Sequence, residues 1–200
     1  MKKLLAFAAL SLPLLSGCAG TTVKRVDTGT VIDLSGRWND TDAQLTAKEM
    51  VADCLSKQWL AQAEPDSASM EPPTVIVGTI RNKTDEHIDT SVITNALQME
   101  LINSGKVRFV ASKNERGEIR DERLDQDTNA SAATRKAMGQ ELGADYMLDG
   151  TISSVEDKEG GKAVVLYQVD MRLVDMKTNQ IVWVGQKRIK KFIKRSSTSW

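Results

Sequence analysis

TVIVGTIRNKTDEHIDTSVITNALQMELINSGKVRFVA, residues 74–111, sets the architecture, because its apolar pattern changes period twice in one short span. Thr74-Val75-Ile76-Val77-Gly78-Thr79-Ile80 is a nearly continuous β-branched run, which predicts a strand covered on both faces. Arg81 to His87 is polar and turns the chain out of that strand. Asp89 or Thr90 then caps a helix running to about Ser104. It carries Val92, Ile93, Ala96, Leu97, Leu101 and Ile102 over a wide arc and is expected to pack deep. Gly105 ends it in the left-handed conformation that glycine adopts without strain. Lys106 to Ala111 reads as a second short strand.

From Ala144 onward the pattern changes to alternation: Tyr146, Leu148 and Ile152, then Val164 to Val174, then Ile181 to Ile193. Gly160-Gly161 and Thr178-Asn179 fill the two gaps, so three long strands joined by two hairpins are expected. Ser112 to Asp127 is dense in alternating charge and predicts a solvated helix or a partly ordered segment, weakened by Gly117. Asn129 or Ser131 caps a further helix to Glu141. Upstream, Asn39 or Asp40 caps a helix from about Thr41 to Ala61, with Asp42 at its positive end. Val51, Cys54, Leu55 and Trp59 form its buried stripe, and Glu64 to Pro73 is a loop. The sum is an α/β fold: a single small mixed β-sheet of about five strands flanked by three to four helices.

The first 18 residues carry a different message. Lys2 and Lys3 precede an uncharged run from Leu4 to Leu15, the cationic start and short apolar core of a secretory signal. The run is too short to cross about 30 Å of hydrocarbon, which takes about 20 residues. Leu15-Ser16-Gly17-Cys18 resembles the bacterial lipobox, in which the cysteine thiol receives a diacylglycerol and becomes the new N-terminus. Ala19, standing where an aspartate would retain the protein, points to sorting to the outer membrane. Several acyl chains, at about 0.8 kcal/mol per buried methylene, hold a protein on a bilayer far better than one. The alternative is a plain signal peptide with a chance cysteine. The expected division is a signal peptide at 1–17, acylated Cys18 with a short linker to residue 32, and a globular domain at 33–200. Stretched, residues 19–32 span about 50 Å; as a coil they average roughly 20 Å.

With 27 basic and 27 acidic residues the chain is electroneutral, so it lacks the charge excess of a nucleic-acid-binding protein. Once Cys18 is acylated, Cys54 is the one remaining thiol and no intramolecular disulfide can form. Its helical spacing with Val51, Leu55 and Trp59 suits a small buried hydrophobe; a nucleophile or an intermolecular bridge is the alternative. His87, with no second His or Cys nearby, cannot build a typical zinc site. There is no Gly-rich loop followed by Lys-Ser/Thr, no HExxH and no GxSxG. Glu156, Asp157 and Glu159 sit at a hairpin tip, where acids are solvated, without the ligand spacing of a calcium loop. An enzyme would need His87 with Asp85 and Glu86 to line a real pocket. No catalytic residue, metal or cofactor is expected. Six of the nine residues from Lys187 to Arg195 are basic, with Ile189, Phe192 and Ile193 interleaved. That run reads either as a last strand whose lysines block edge pairing and whose apolar residues face inward, or as a patch for an acidic partner or an anionic lipid surface.

The stretch from Val75 to Lys187 resembles the LpoB family, outer-membrane lipoprotein activators of penicillin-binding proteins. The resemblance lies in the strand–turn–helix of residues 75–112, with its Asn82-x-Thr84 turn and its Asn103-x-Gly105-Lys106 helix end. It continues in GADYMLDGTIS and in VDMRLVDMKTNQIVWVGQK, including Trp183-x-Gly185. It implies a fold similar to the TolB N-terminal domain and CsgG, with no catalysis and no cofactor. It also implies a lipid-anchored protein of the outer membrane, held through Cys18, whose globular domain faces the periplasm. Its implied partner is a class A, bifunctional penicillin-binding protein, whose glycan polymerisation and peptide cross-linking it raises by touching a regulatory domain. Such activation needs only tighter binding to the active conformer than to the resting one. The best-known members use a long disordered linker, whereas residues 19–32 are short. Asp149 aligns with an exposed tyrosine of the family's binding face, so that contact is not carried over. Arg135, Asp149 and Thr151 are the candidates for a partner face. The wider group with this fold, curli-secretion lipoproteins and the N-terminal domain of Tol-Pal's β-propeller protein, supplies the alternative: a structural or assembly component of an envelope machine.

Overall fold

The pivot of the sheet is β1 (Thr74–Asn82), which pairs in parallel with β2 (Arg108–Phe109) on one side and β3 (Tyr146–Glu159) on the other. β4 (Lys162–Asp175) and β5 (Ile181–Lys194) continue antiparallel, giving the order β2-β1-β3-β4-β5. The computed structural model describes residues 21–63, 71–131 and 141–194. The signal region, Cys18, Arg135 and the body of the helix expected up to Glu141 lie outside them. Among the described residues, those from Val31 onward form one compact unit, and residues 21–30 are separate from it. In the latter, the Asp27 carboxylate accepts from the Gly29 N–H. The α/β class with a five-stranded mixed sheet is the one expected.

Local chemistry explains where the helices begin and end. α1 (Asp40–Cys54) starts on a reciprocal cap, the Asn39 side chain accepting from Asp42 N–H while the Asp42 carboxylate accepts from Asn39 N–H, both at 3.0 Å. It stops at Cys54 instead of continuing to Ala61. The Ser56 hydroxyl donates to the Asp53 carbonyl at 2.7 Å, and the Trp59 indole donates to the Cys54 carbonyl at 2.7 Å. These satisfy the helix end from outside, and α2 (Gln58–Gln62) follows as a separate short turn. α3 (Thr90–Asn103) is capped by Asp89, which accepts from Ser91 N–H, and Gly105 follows at φ 63° as expected. The strand expected over Lys106–Ala111 shrinks to the two residues of β2. α4 (Lys113–Asn129) opens on a Ser112–Glu115 capping box and buries nothing, the solvated helix that its charge pattern predicts.

One face of the sheet carries the core. α1 packs on α3 and β5, and α3 on β1 and β2. Met50, Val51 and Cys54 of α1 and Ile93, Leu97 and Leu101 of α3 are buried together with Val75, Val77, Leu148, Ile152, Met171, Leu173 and Trp183 of the sheet. Covering β1 on both sides was the expectation; Ile76 and Gly78 on its other side are only half-buried, because among the described residues no helix packs there. Trp183 folds its indole over Gly185, whose missing Cβ would lie 2.2 Å from the ring, and donates to Asp53 at 2.9 Å.

β3, β4 and β5 are each 14 residues long and outrun the helices. Past Val169 their inner face is covered by a strap, residues 33–39, and by the turn after β1. Trp38 meets Tyr167 edge-on at 5.5 Å. Glu86 accepts from the Tyr167 hydroxyl and from Trp38 N–H. Lys191 of β5 points inward and donates to Asp33 at 2.7 Å, to Asp42 at 2.6 Å and to the Arg37 carbonyl at 3.0 Å. The expected inward set of Ile189, Phe192 and Ile193 is therefore corrected. Alternation puts Ile189, Lys191 and Ile193 inside and leaves Phe192 65% exposed on the other face.

Candidate functional site

The face of the sheet opposite α1 and α3 presents alternate residues of three strands in registered rows. They run Asp149–Arg172–Val184, Thr151–Asp170–Gln186 and Ser153–Gln168–Arg188 across β3, β4 and β5. The polar rows are bonded into two sets. Arg172 grips Asp149 bidentately at 2.7 and 3.1 Å. Asp170 accepts from Gln186 and from Gln168, each at 2.8 Å, and Gln168 accepts from Arg188 at 3.0 Å. Arg81 arrives from β1 beside Thr151. Arg81 and the first two rows line an open groove of about 550 Å³, with Val184 as its exposed apolar wall.

Asp149 is buried beneath its partner, with 7% exposure, whereas the Arg172 side chain is half-exposed. The hydrogen bond to Asp149, and then that carboxylate's charge, raise the Arg172 guanidinium above its usual value. What the surface offers here is therefore the outer edge of Arg172, not the acid. Thr151 is half-buried on the groove floor. Asp149 and Thr151 thus come together in one groove, and Arg135 lies outside the described residues. The sequence reading missed Arg172 and Arg81; the strand register, which puts Arg172 opposite Asp149 and Arg81 opposite Thr151, was the signal.

A second hollow of about 290 Å³ lies between the strap and the turn after β1, lined by Trp38, Asp40, Glu86, His87, Ile88 and Val92. His87 and Glu86 do line a pocket; Asp85 does not. The Glu86 carboxylate is committed at both oxygens to Tyr167 and Trp38, and its burial and bonding push the Tyr167 hydroxyl above its usual value, burial first. Cys54 is 2% exposed and its thiol is pushed up to about 12 by burial, outweighing the Trp59 hydrogen bond, which leaves a packed side chain rather than a nucleophile. No group of three or more metal-ligating side chains gathers among the described residues. No helix among them is long and apolar enough to cross a membrane.

The model of the family described as "Peptidoglycan-synthase activator LpoB" matches residues 42–189, from the first turn of α1 into β5. The chain belongs to the LpoB family. No curated protein matches it in sequence. The LpoB C-terminal domain from Escherichia coli is 18% identical, covering 75% of this chain and 99% of that domain, with a TM-score of 0.47. The corresponding domain from Salmonella enterica is 18% identical with the same coverage and a TM-score of 0.46. Lipoprotein GNA1162 from Neisseria meningitidis is 17% identical over 64% of this chain and 88% of that one, with a TM-score of 0.38. The LpoB match takes in every polar row of the groove and ends before Lys191 and Phe192; the strap lies before its start.

Proposed function

We propose that this LpoB-family chain is a lipid-anchored outer-membrane protein that activates a class A penicillin-binding protein by contact, without chemistry of its own. The family match over residues 42–189 carries this reading. The signal at 1–17 directs export, Cys18 bears the lipid, residues 19–32 form the tether and residues 33–200 form the binding domain in the periplasm. The contact is assigned to the groove on the open face, where Thr151, Gln186, Val184 and the exposed edges of Arg81 and Arg172 surround a floor of saturated hydrogen bonds. Such a surface suits protein recognition, because its polar groups are held in place before the partner arrives and lose little entropy on binding. Activation follows if the groove binds the active conformer of the synthase better than the resting one.

The test is glycan polymerisation by the purified class A synthase from the same cell, followed as lipid II consumption with and without the chain. An increase in rate that Thr151→Arg and Arg81→Glu abolish, with both variants melting like the parent, supports the reading. An unchanged rate at saturating chain, with no binding to the synthase, overturns it.

A further inference from the structure

The open face changes character toward the strand tips. Beyond Ser153–Gln168–Arg188 the rows become Val155–Leu166–Lys190 and Asp157–Val164–Phe192. Val155 is 70% exposed and Phe192 65% exposed. Lys190 and Lys194 flank Phe192 on the same side of β5, Lys162 lies opposite Lys194, and all three are exposed. None of the three is ion-paired among the described residues. The acids of this face, Asp157 and Glu159, stand on β3: Glu159 is directly opposite Lys162, and both are one strand removed from Lys190 and Lys194 on β5. On the reverse side of the same tip, Asp33 is bonded to Lys191, and Gly36 lies where a Cβ would fall 2.3 Å from Ile193. The strap that leads back to the N-terminal tether is therefore fastened to the two residues on either side of Phe192.

We infer that this tip docks on an anionic phospholipid surface, Phe192, Val155 and Leu166 entering the headgroup boundary while Lys190, Lys194 and Lys162 meet lipid phosphates. The inference rests on the lipid-anchor reading above. A tether of residues 19–32 reaches at most about 50 Å and averages roughly 20 Å, and it joins the folded unit at this tip. An apolar centre ringed by lysines matches an anionic interface. A contact too weak to hold a free protein is made effective by a short tether, which turns it into an intramolecular event. The groove at the other end of the face stays open to a protein partner.

The test uses the acylated chain carrying Val155→Cys labelled with nitrobenzoxadiazole, in vesicles of phosphatidylethanolamine and phosphatidylglycerol. Cys18 is blocked by its lipid and Cys54 is buried, so the label goes to one site. Val184→Cys, 69% exposed at the opposite end of the face, is the control. The expected result is severalfold brighter emission at 155 than at 184, quenched by nitroxide-bearing lipids and lost with Lys190→Glu and Lys194→Glu together or in neutral phosphatidylcholine vesicles. Equal, unquenched emission at both sites on chain that floats with the vesicles overturns the tip docking and leaves the anchor standing. Chain that does not float overturns the anchor, and the docking with it. Brightening at 155 only when an acidic protein partner is added, with no lipid quenching, also overturns it.

Discussion

The two halves of the sheet's inner face are sealed by opposite chemistries. Under α1 and α3 the contacts are aliphatic: Leu148, Ile152 and Leu173 against Val51, Ile93 and Leu97. Under the strap they are ionic and aromatic: Lys191 with Asp33 and Asp42, Glu86 with Tyr167, Trp38 against the Tyr167 ring. Area removed from water holds the first half, and with no titrating group in it its strength varies little with pH near neutrality. The second depends on a few charges whose partners must all be present, since a buried ion left alone costs far more than the pair contributes.

Lys191→Met gives the largest expected effect. It leaves the Asp42 carboxylate, 5% exposed, without its cation, and costs about 3–5 kcal/mol in urea unfolding. Adding Asp42→Asn recovers part of that loss, because the orphaned charge is gone. If the single variant unfolds at the parent's midpoint, the tip half is held by its apolar residues after all, and the contrast between the halves collapses. A methyl deletion in the other half is milder. Ile152→Val, at a site with 0% exposure, costs about 0.5–1.5 kcal/mol, a loss expected to be the same in low and high salt. The Lys191→Met loss depends on salt only through its half-exposed partner Asp33.

The halves also differ in pH dependence. The Lys191 hydrogen bond holds the Asp33 carboxyl below its ordinary 3.8, although burial opposes it. That stabilisation is present above 3.8 and disappears as pH falls through the lower, folded value. Burial pulls the Lys191 ammonium down, but Asp33 and Asp42 outweigh it and leave it above its ordinary 10.5. Its contribution is therefore full below 10.5 and is lost as pH rises through the folded value. Asp33→Asn is expected to flatten the acid limb of a stability–pH curve while leaving the plateau lowered by a small amount, because Asp33 is itself largely solvated. An acid limb identical to the parent's would assign it to other carboxylates.

The same contrast marks what the residues disclosed in advance. Leu97, Leu101 and Ile152 belong to periods of 3.6 and 2 within single elements, so the helix-covered half was readable from the chain. Gly160 and Gly161 at φ 53° and 76° announced their hairpin, as did Asn179 at φ 63°. The helix break at Cys54 was not readable, because it depends on the Trp59 indole folding back onto a carbonyl. Nor was the ionic half: Lys191 and Asp33 are 158 residues apart, and no local pattern pairs them. At the groove, Asp149 and Thr151 were picked from a resemblance, while Arg172 emerged from register.

Phe192 gives the smallest expected effect and the sharpest comparison, because it is the chain neighbour of Lys191. Hydropathy alone ranks the phenylalanine as the core residue and the lysine as the solvated one. The pleat reverses them: successive side chains point to opposite faces, Trp183 fixes the phase of β5 with its indole inside, and eight residues later Lys191 shares that phase. Phe192→Thr puts a residue of high strand propensity opposite Val164 and removes a ring that folding leaves 65% exposed. Its unfolding midpoint is expected to move by no more than about 0.5 kcal/mol, and the variant should be more soluble. A loss of 2 kcal/mol or more, of the size found for core aromatics, would mean that the ring is covered in the folded chain. That result would reverse the assigned phase of β5 at its tip and move Lys191 back into solvent.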